Sequence, residues 1–125
     1  MSEKSALVHD LEQVVEPTHV VWRPEDLLVY EYDGSIDRNN PGAVVVPSSV
    51  EQISEIIKIA RKHNAPVVPR GAGTGLSGGA ISMEGAVVLA LTRLNKVLEI
   101  DKENRVAIVE PGVVNLELGQ AVAPY

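Results

Sequence analysis

The sequence predicts an α+β fold: a β-α-β crossover with parallel strands, followed by an antiparallel hairpin. Ala43 to Pro47 and Ala65 to Pro69 are short apolar runs on either side of a stretch with helical periodicity. Strand, helix and strand in that order make a right-handed crossover. The chain then turns glycine-dense, with five of its ten glycines falling between Gly71 and Gly79. Further on, Lys96 to Ile100 and Val106 to Glu110 alternate loosely around the turn-like DKEN, which is the pattern of a hairpin.

At 125 residues the chain has single-domain size and enough material for a core. Hydrophobic residues make up 45% and charged residues 22%, as in soluble globular proteins. Phe is absent, so the core must be built from Val, Ile, Leu and Ala. The net charge of -6 and the lack of a Lys/Arg cluster argue against nucleic acid as a partner. With no cysteine, this stretch carries no disulfide framework, iron–sulfur ligands, thiolate nucleophile or cysteine-bound zinc. The charged N-terminus, MSEKSALVHDLEQVVE, does not read as a signal peptide. No apolar run approaches the ~20 residues of a membrane span. A cytoplasmic protein that meets membranes only through partners is expected.

Taken in order, Leu7, Leu11, Val14 and Val15 place a short amphipathic helix over Ser5 to Glu16, stopped by Pro17. Thr18 to Pro24 reads as a connector. Asp26 to Tyr32 suits either a helical turn or a short strand, and DGSIDRNNPG is an exposed loop. Ala43 to Pro47 should be a strand buried on both faces. Ser48 or Ser49 then caps a helix, with Glu51 or Gln52 completing a capping box. Val50, Ile53, Ile56, Ile57 and Ala60 form its apolar stripe. Arg61, Lys62 and His63 meet the negative end of the helix dipole, and Asn64 and Pro66 end the helix. Ala65 to Pro69 is the second strand and Ala86 to Leu91 the third. A final helix is expected over Val113 to Ala123, with Leu116, Leu118 and Val122 as candidate buried positions.

The candidate site is Pro69, Arg70, Gly71, Ala72, Gly73, Thr74, Gly75, Leu76, Ser77, Gly78 and Gly79. Without Cβ atoms, backbone N–H groups can approach a ligand closely, and converging N–H groups make an anion site suited to phosphate. Gly73 to Gly78 fits GxGxxG, but the dinucleotide fingerprint needs a helix opening on the glycines. Here GAISMEG leaves no room for one before AVVLAL begins. A Walker loop is excluded because no Gly-Lys-Ser/Thr follows. Arg70 either touches pyrophosphate or pairs with a carboxylate. Thr74 and Ser77 either bond phosphate oxygens or stabilise the loop. His63 reads as a helix-end charge, and His9 and His19 have no partners at ligand spacing. No catalytic residue and no metal ligand is assigned.

The segments PGAVVVPSSVEQISEIIKIARKHNAPVVPRGAGTGLSGGA, GAVVLALTRLNKVLEID and VAIVEPGV together resemble the FAD-linked oxidases of the vanillyl-alcohol oxidase/para-cresol methylhydroxylase type. Within that family the similarity is to the flavin subunit of glycolate oxidase and the related D-lactate and 2-hydroxyacid dehydrogenases. The resemblance runs from Pro41 to the end. It implies the first subdomain of a PCMH-type FAD-binding domain over residues 41–125, preceded by a helical lead and loop over residues 1–40. It also implies that the loop matching Pro69 to Gly75 wraps the FAD pyrophosphate and that Leu76 to Gly79 continue along the cofactor. Glu110-Pro111-Gly112 resembles a turn near the nucleotide. Covalent members carry Arg-x-Gly-Gly-His; aligned on Arg70, the histidine position is Thr74, so FAD should be non-covalent.

The resemblance further implies a small 2-hydroxyacid substrate, with additional flavin-like and iron–sulfur subunits as partners. Family members are several times longer. The substrate cap and catalytic base are therefore expected outside this chain, which alone should be inactive. Two other readings stay open: another oxidoreductase on the same FAD scaffold, or a stand-alone nucleotide- or phosphate-binding module without catalysis.

Overall fold

The structure is a computed structural model, and it describes residues 4–27, 42–71 and 85–125. Helix α1 (Ala6–Leu11) is followed by a 3-10 turn (Pro17–His19), strand β1 (Val20–Val21) and the helical turn α2 (Pro24–Leu27). Strand β2 (Ala43–Val45), helix α3 (Val50–Lys62) and strand β3 (Val67–Arg70) form the crossover. Strand β4 (Val87–Ala90), the hairpin β5 (Val97–Asp101) and β6 (Val106–Val109), and helix α4 (Asn115–Val122) complete the order.

The main sheet has the order β1-β2-β4-β3. Strands β2, β4 and β3 are parallel, with Val44 and Val68 both level with Val88. The crossover therefore leaves a gap between β2 and β3, and β4 fills it. A central strand in this position needs apolar residues on both faces, and Val87, Val88, Leu89 and Ala90 are all buried. On one face Ala43, Val45, Val87 and Leu89 pack with Val8, Leu11, Ile56 and Ala60 from α1 and α3. On the other, Val44, Val88 and Ala90 pack with Val21, Leu27 and Val46.

A variant of the capping box forms at Ser49, with the return bond made to the residue before the cap. Ser49 Oγ accepts from Gln52 N at 3.1 Å, while Gln52 Oε1 accepts from Ser48 N at 2.7 Å. At the other end Asn64 adopts φ 54, the left-handed conformation that stops a helix. In the hairpin, Asp101 accepts from both Asn104 nitrogens, and these bonds, the side-chain one first, hold its carboxyl below the usual aspartate value. Arg105 at φ 56 completes the reversal.

Four expectations need correction. The segment Thr18 to Pro24 is more than a connector, because β1 pairs antiparallel with β2. Helix α1 ends at Leu11 and continues as turns, although Val14 and Val15 still face the core. Of the α3 stripe, Val50 is 72% exposed and Ile57 is also exposed, while Ile59 packs against the core in their place. The sheet is narrow and accepts only one side of the stripe. In α4, Leu116 is 70% exposed, whereas Leu118 and Val122 are half-buried against the hairpin.

Candidate functional site

The described part of the candidate site lies at the carboxyl end of β3. Pro69 sits in an edge strand, where its missing N–H breaks no ladder bond that the sheet needs. Arg70 is half-buried, and its carbonyl accepts from Leu91 N at 2.8 Å. Gly71 is exposed, and a Cβ there would meet nothing within 4 Å. Gly71 thus sits in the open at the carboxyl edge of the parallel strands, where α/β sheets usually take their ligands. Ala72, Gly73, Thr74, Gly75, Leu76, Ser77, Gly78 and Gly79 lie outside the described residues.

Where description resumes, Gly85 has φ +72 and opens onto β4. It packs against Gly42, at the start of β2: a Cβ on Gly42 would lie 2.8 Å from the Gly85 carbonyl oxygen. Gly42 N and Ala43 N both donate to Ala86 O, at 2.8 and 3.2 Å. The glycine-rich connection therefore departs from an anchored strand end and returns to an anchored one.

A third segment meets the same edge. Leu94 N donates to Leu91 O at 3.0 Å, closing a turn just past β4. Gly112 N donates to Leu94 O at 2.7 Å. Glu110 pairs with Lys96 twice, through its N–H to Lys96 O and through Oε1 from Lys96 N, both at 2.9 Å. Arg70–Gly71 and Glu110–Gly112 are thus brought to one edge of the sheet, joined through Leu91 and Leu94. Sequence reasoning did not single out Leu91, Leu94 or Gly42. A signal was present for Gly42, since Gly42-Ala43-Val44-Val45 and Gly85-Ala86-Val87-Val88 repeat the same four residues at the start of two adjacent strands.

The histidines are spread apart. His63 Nε2 lies 2.7 Å from Asp10 Oδ2, which also receives Lys62 Nζ at 3.1 Å. The His63 bond first, then the Lys62 bond, hold the Asp10 carboxyl below its ordinary value. His19 Nδ1 lies 3.2 Å from Arg93 Nη1, and His9 is exposed. Among the described residues, no group of three or more His, Cys, Asp or Glu is placed to hold a metal ion, and no helix is long and apolar enough to cross a membrane. A concavity of about 680 Å³ between the hairpin and α4 is lined by Ile100, Val106, Leu118, Val122 and Tyr125 among others; it shares no residue with 69–79.

A parallel sheet whose carboxyl edge launches a glycine-rich segment, with an antiparallel hairpin docked beside it, is the architecture of a PCMH-type FAD-binding domain. The chain belongs to the FAD binding domain family, whose profile matches residues 41–125. It is 40% identical over 124 residues to glycolate oxidase subunit GlcD of Escherichia coli K12, a match covering 98% of this chain and 25% of that protein. It is 36% identical over 116 residues to D-2-hydroxyglutarate dehydrogenase of Stutzerimonas stutzeri, covering 92% and 25%. Among solved structures, p-cresol methylhydroxylase with substrate bound superposes with a TM-score of 0.80 at 26% identity, over 94% of this chain and 24% of that one. A 4-ethylphenol oxidase from Gulosibacter chungangensis superposes with a TM-score of 0.81 at 28% identity, over the same shares. The chain spans about a quarter of the length of these relatives.

The described residues suit FAD, the cofactor of this family. At the base of the glycine segment, no described atom beyond its chain neighbours lies within 4 Å of where a Cβ on Gly71 would be.

Proposed function

We propose that residues 69–79 hold the pyrophosphate of a non-covalent FAD in an oxidoreductase acting on a small 2-hydroxyacid of the glycolate or D-lactate type. The observation that carries this reading is the departure of Arg70–Gly71 from the carboxyl end of a parallel strand, in a chain of the FAD binding domain family. When bound, FAD supplies the two-electron redox chemistry. This chain supplies grip and orientation: backbone N–H groups of 71–79 for the phosphates, with the Arg70 cation at the entrance. In this reading no residue of 1–125 is assigned as catalytic base. The relatives include a glycolate oxidase subunit, which supports partner subunits as the electron outlet. A cytoplasmic location, with any membrane contact made through those partners, completes the reading.

The test is to titrate the intact protein with FAD, FMN and ADP, then precipitate it with acid. FAD should bind tightest, and all flavin should appear in the supernatant. Anaerobic addition of glycolate or D-lactate should bleach the flavin absorbance. Flavin retained in the pellet refutes non-covalent binding. Equal affinity for ADP and FAD, with no bleaching, points instead to a nucleotide-binding module.

A further inference from the structure

We propose that Gly112 is a positioning residue for FAD: its missing side chain lets the 110–112 turn seat on the Leu91 and Leu94 carbonyls, which sets the hairpin against the edge that launches residues 71–79. This rests on the reading of 69–79 as the FAD grip.

A Cβ on Gly112 would overlap the Leu91 carbonyl oxygen and come within 2.7 Å of the Leu94 carbonyl oxygen. Both are backbone atoms, so no rotamer change relieves the clash. The reason is close approach rather than backbone conformation, because among the described residues Gly85 alone of the glycines has a positive φ. By contrast Gly119, in α4, has nothing within 4 Å of the place a Cβ would take, and it serves as a control.

The seating is bonded as well as close. Arg70 O receives Leu91 N, Leu91 O receives Leu94 N, and Leu94 O receives Gly112 N, at 2.8, 3.0 and 2.7 Å. This is a continuous backbone relay from the base of the glycine segment to the hairpin. Just beyond it, Glu110 clasps Lys96 on the far side of the same turn. An added methyl at 112 cannot be absorbed without parting the turn from the sheet edge. Parting them moves the hairpin relative to Arg70–Gly71, and a cofactor spanning both loses its fit. Overpacking of this kind is ordinarily felt as about a tenfold change in an equilibrium.

The experiment compares Gly112→Ala, Glu110→Gln and Gly119→Ala with wild type in the intact protein. Amide hydrogen exchange at Gly112 and Leu94 reports the lock without flavin, and FAD affinity and visible circular dichroism report the positioning. Gly112→Ala should exchange faster at both amides, bind FAD about tenfold more weakly and alter the flavin dichroism. Glu110→Gln, which keeps the shape and removes the charge, should move the same readouts less, and Gly119→Ala should move none. Faster exchange with unchanged FAD affinity and dichroism overturns the positioning role. Unchanged exchange overturns the lock itself. If Gly112→Ala does not fold, Glu110→Ala, which removes the acceptor for Lys96 N, decides by the same criteria. Wild-type protein that fails to bind FAD refutes the proposed function instead, and the exchange measurement still judges the lock.

Discussion

Gly42→Ala tests how the carboxyl-edge segment is returned to the sheet. A Cβ at this position would lie 2.8 Å from the Gly85 carbonyl oxygen, 3.0 Å from its carbon and 3.3 Å from its Cα. Relief therefore requires main-chain movement. The neighbouring bonds from Gly42 N and Ala43 N to Ala86 O resist it. Overpacking of this kind costs about 1–3 kcal/mol. Opposing it, Gly42 has no positive φ, so alanine is backbone-compatible and stiffens the unfolded chain by about 0.4–1 kcal/mol. The clash outweighs the entropy gain, leaving a net loss of about 1–2 kcal/mol, a sizeable share of the ~5–15 kcal/mol of a typical domain. At this chain length each kcal/mol lowers Tm by roughly 3–5 °C. Urea and thermal melts of the intact protein, with and without FAD, read the effect. A Gly42→Ala protein as stable as wild type would show that strands β2 and β4 do not meet at their amino ends as closely as 2.8 Å implies.

Two further substitutions address the elements that support the site. Ser49→Ala removes the acceptor for Gln52 N at the start of α3 and should lower stability by about 1 kcal/mol; Ser49→Asp should restore the urea midpoint, and a midpoint unmoved by alanine would deny the cap. Asp10 joins α1 to α3 through His63 and Lys62, and its carboxyl is held below the ordinary 3.8. A depressed folded pKa gives stability that is fully present above the unfolded value and is lost as pH falls through the folded one. Wild type should therefore lose urea resistance more steeply than Asp10→Asn as pH drops below about 4, and parallel slopes would refute the link.

Local signals made most of the fold legible. The Ser49 box, the Asn64 stop and the apolar runs of β2, β3 and β4 each depend on neighbours within a few residues, and each forms where the pattern placed it. What was less legible depends on partners far along the chain. Strand β1 is two residues long and exists only because Val20 and Val21 find Val45 and Val44. Val50 and Ile57 fit the helical period of α3, but the narrow sheet offers them nothing to cover. The candidate site shows the same divide. The glycines of 71–79 stand out by composition alone, whereas Gly112 matters through contact with Leu91 and Leu94, about twenty residues upstream.

The order β1-β2-β4-β3 bears on how the site can be probed. Parallel strands need a crossover connection, and ligands commonly bind at the carboxyl ends of such strands. Here residues 71–86 connect β3 to its parallel neighbour β4, and they include the glycines proposed to hold FAD. On that proposal, sheet closure and cofactor grip draw on one segment. On the same proposal a substitution inside it would act on the β3–β4 link and on FAD binding at once. Gly42 and Gly112 lie outside the segment, at its return and beside its departure. Changing them moves the ends of the grip while leaving its residues intact. That is the arrangement in which stability and FAD affinity can be separated: a variant that loses one without the other identifies which of the two tasks its contact serves.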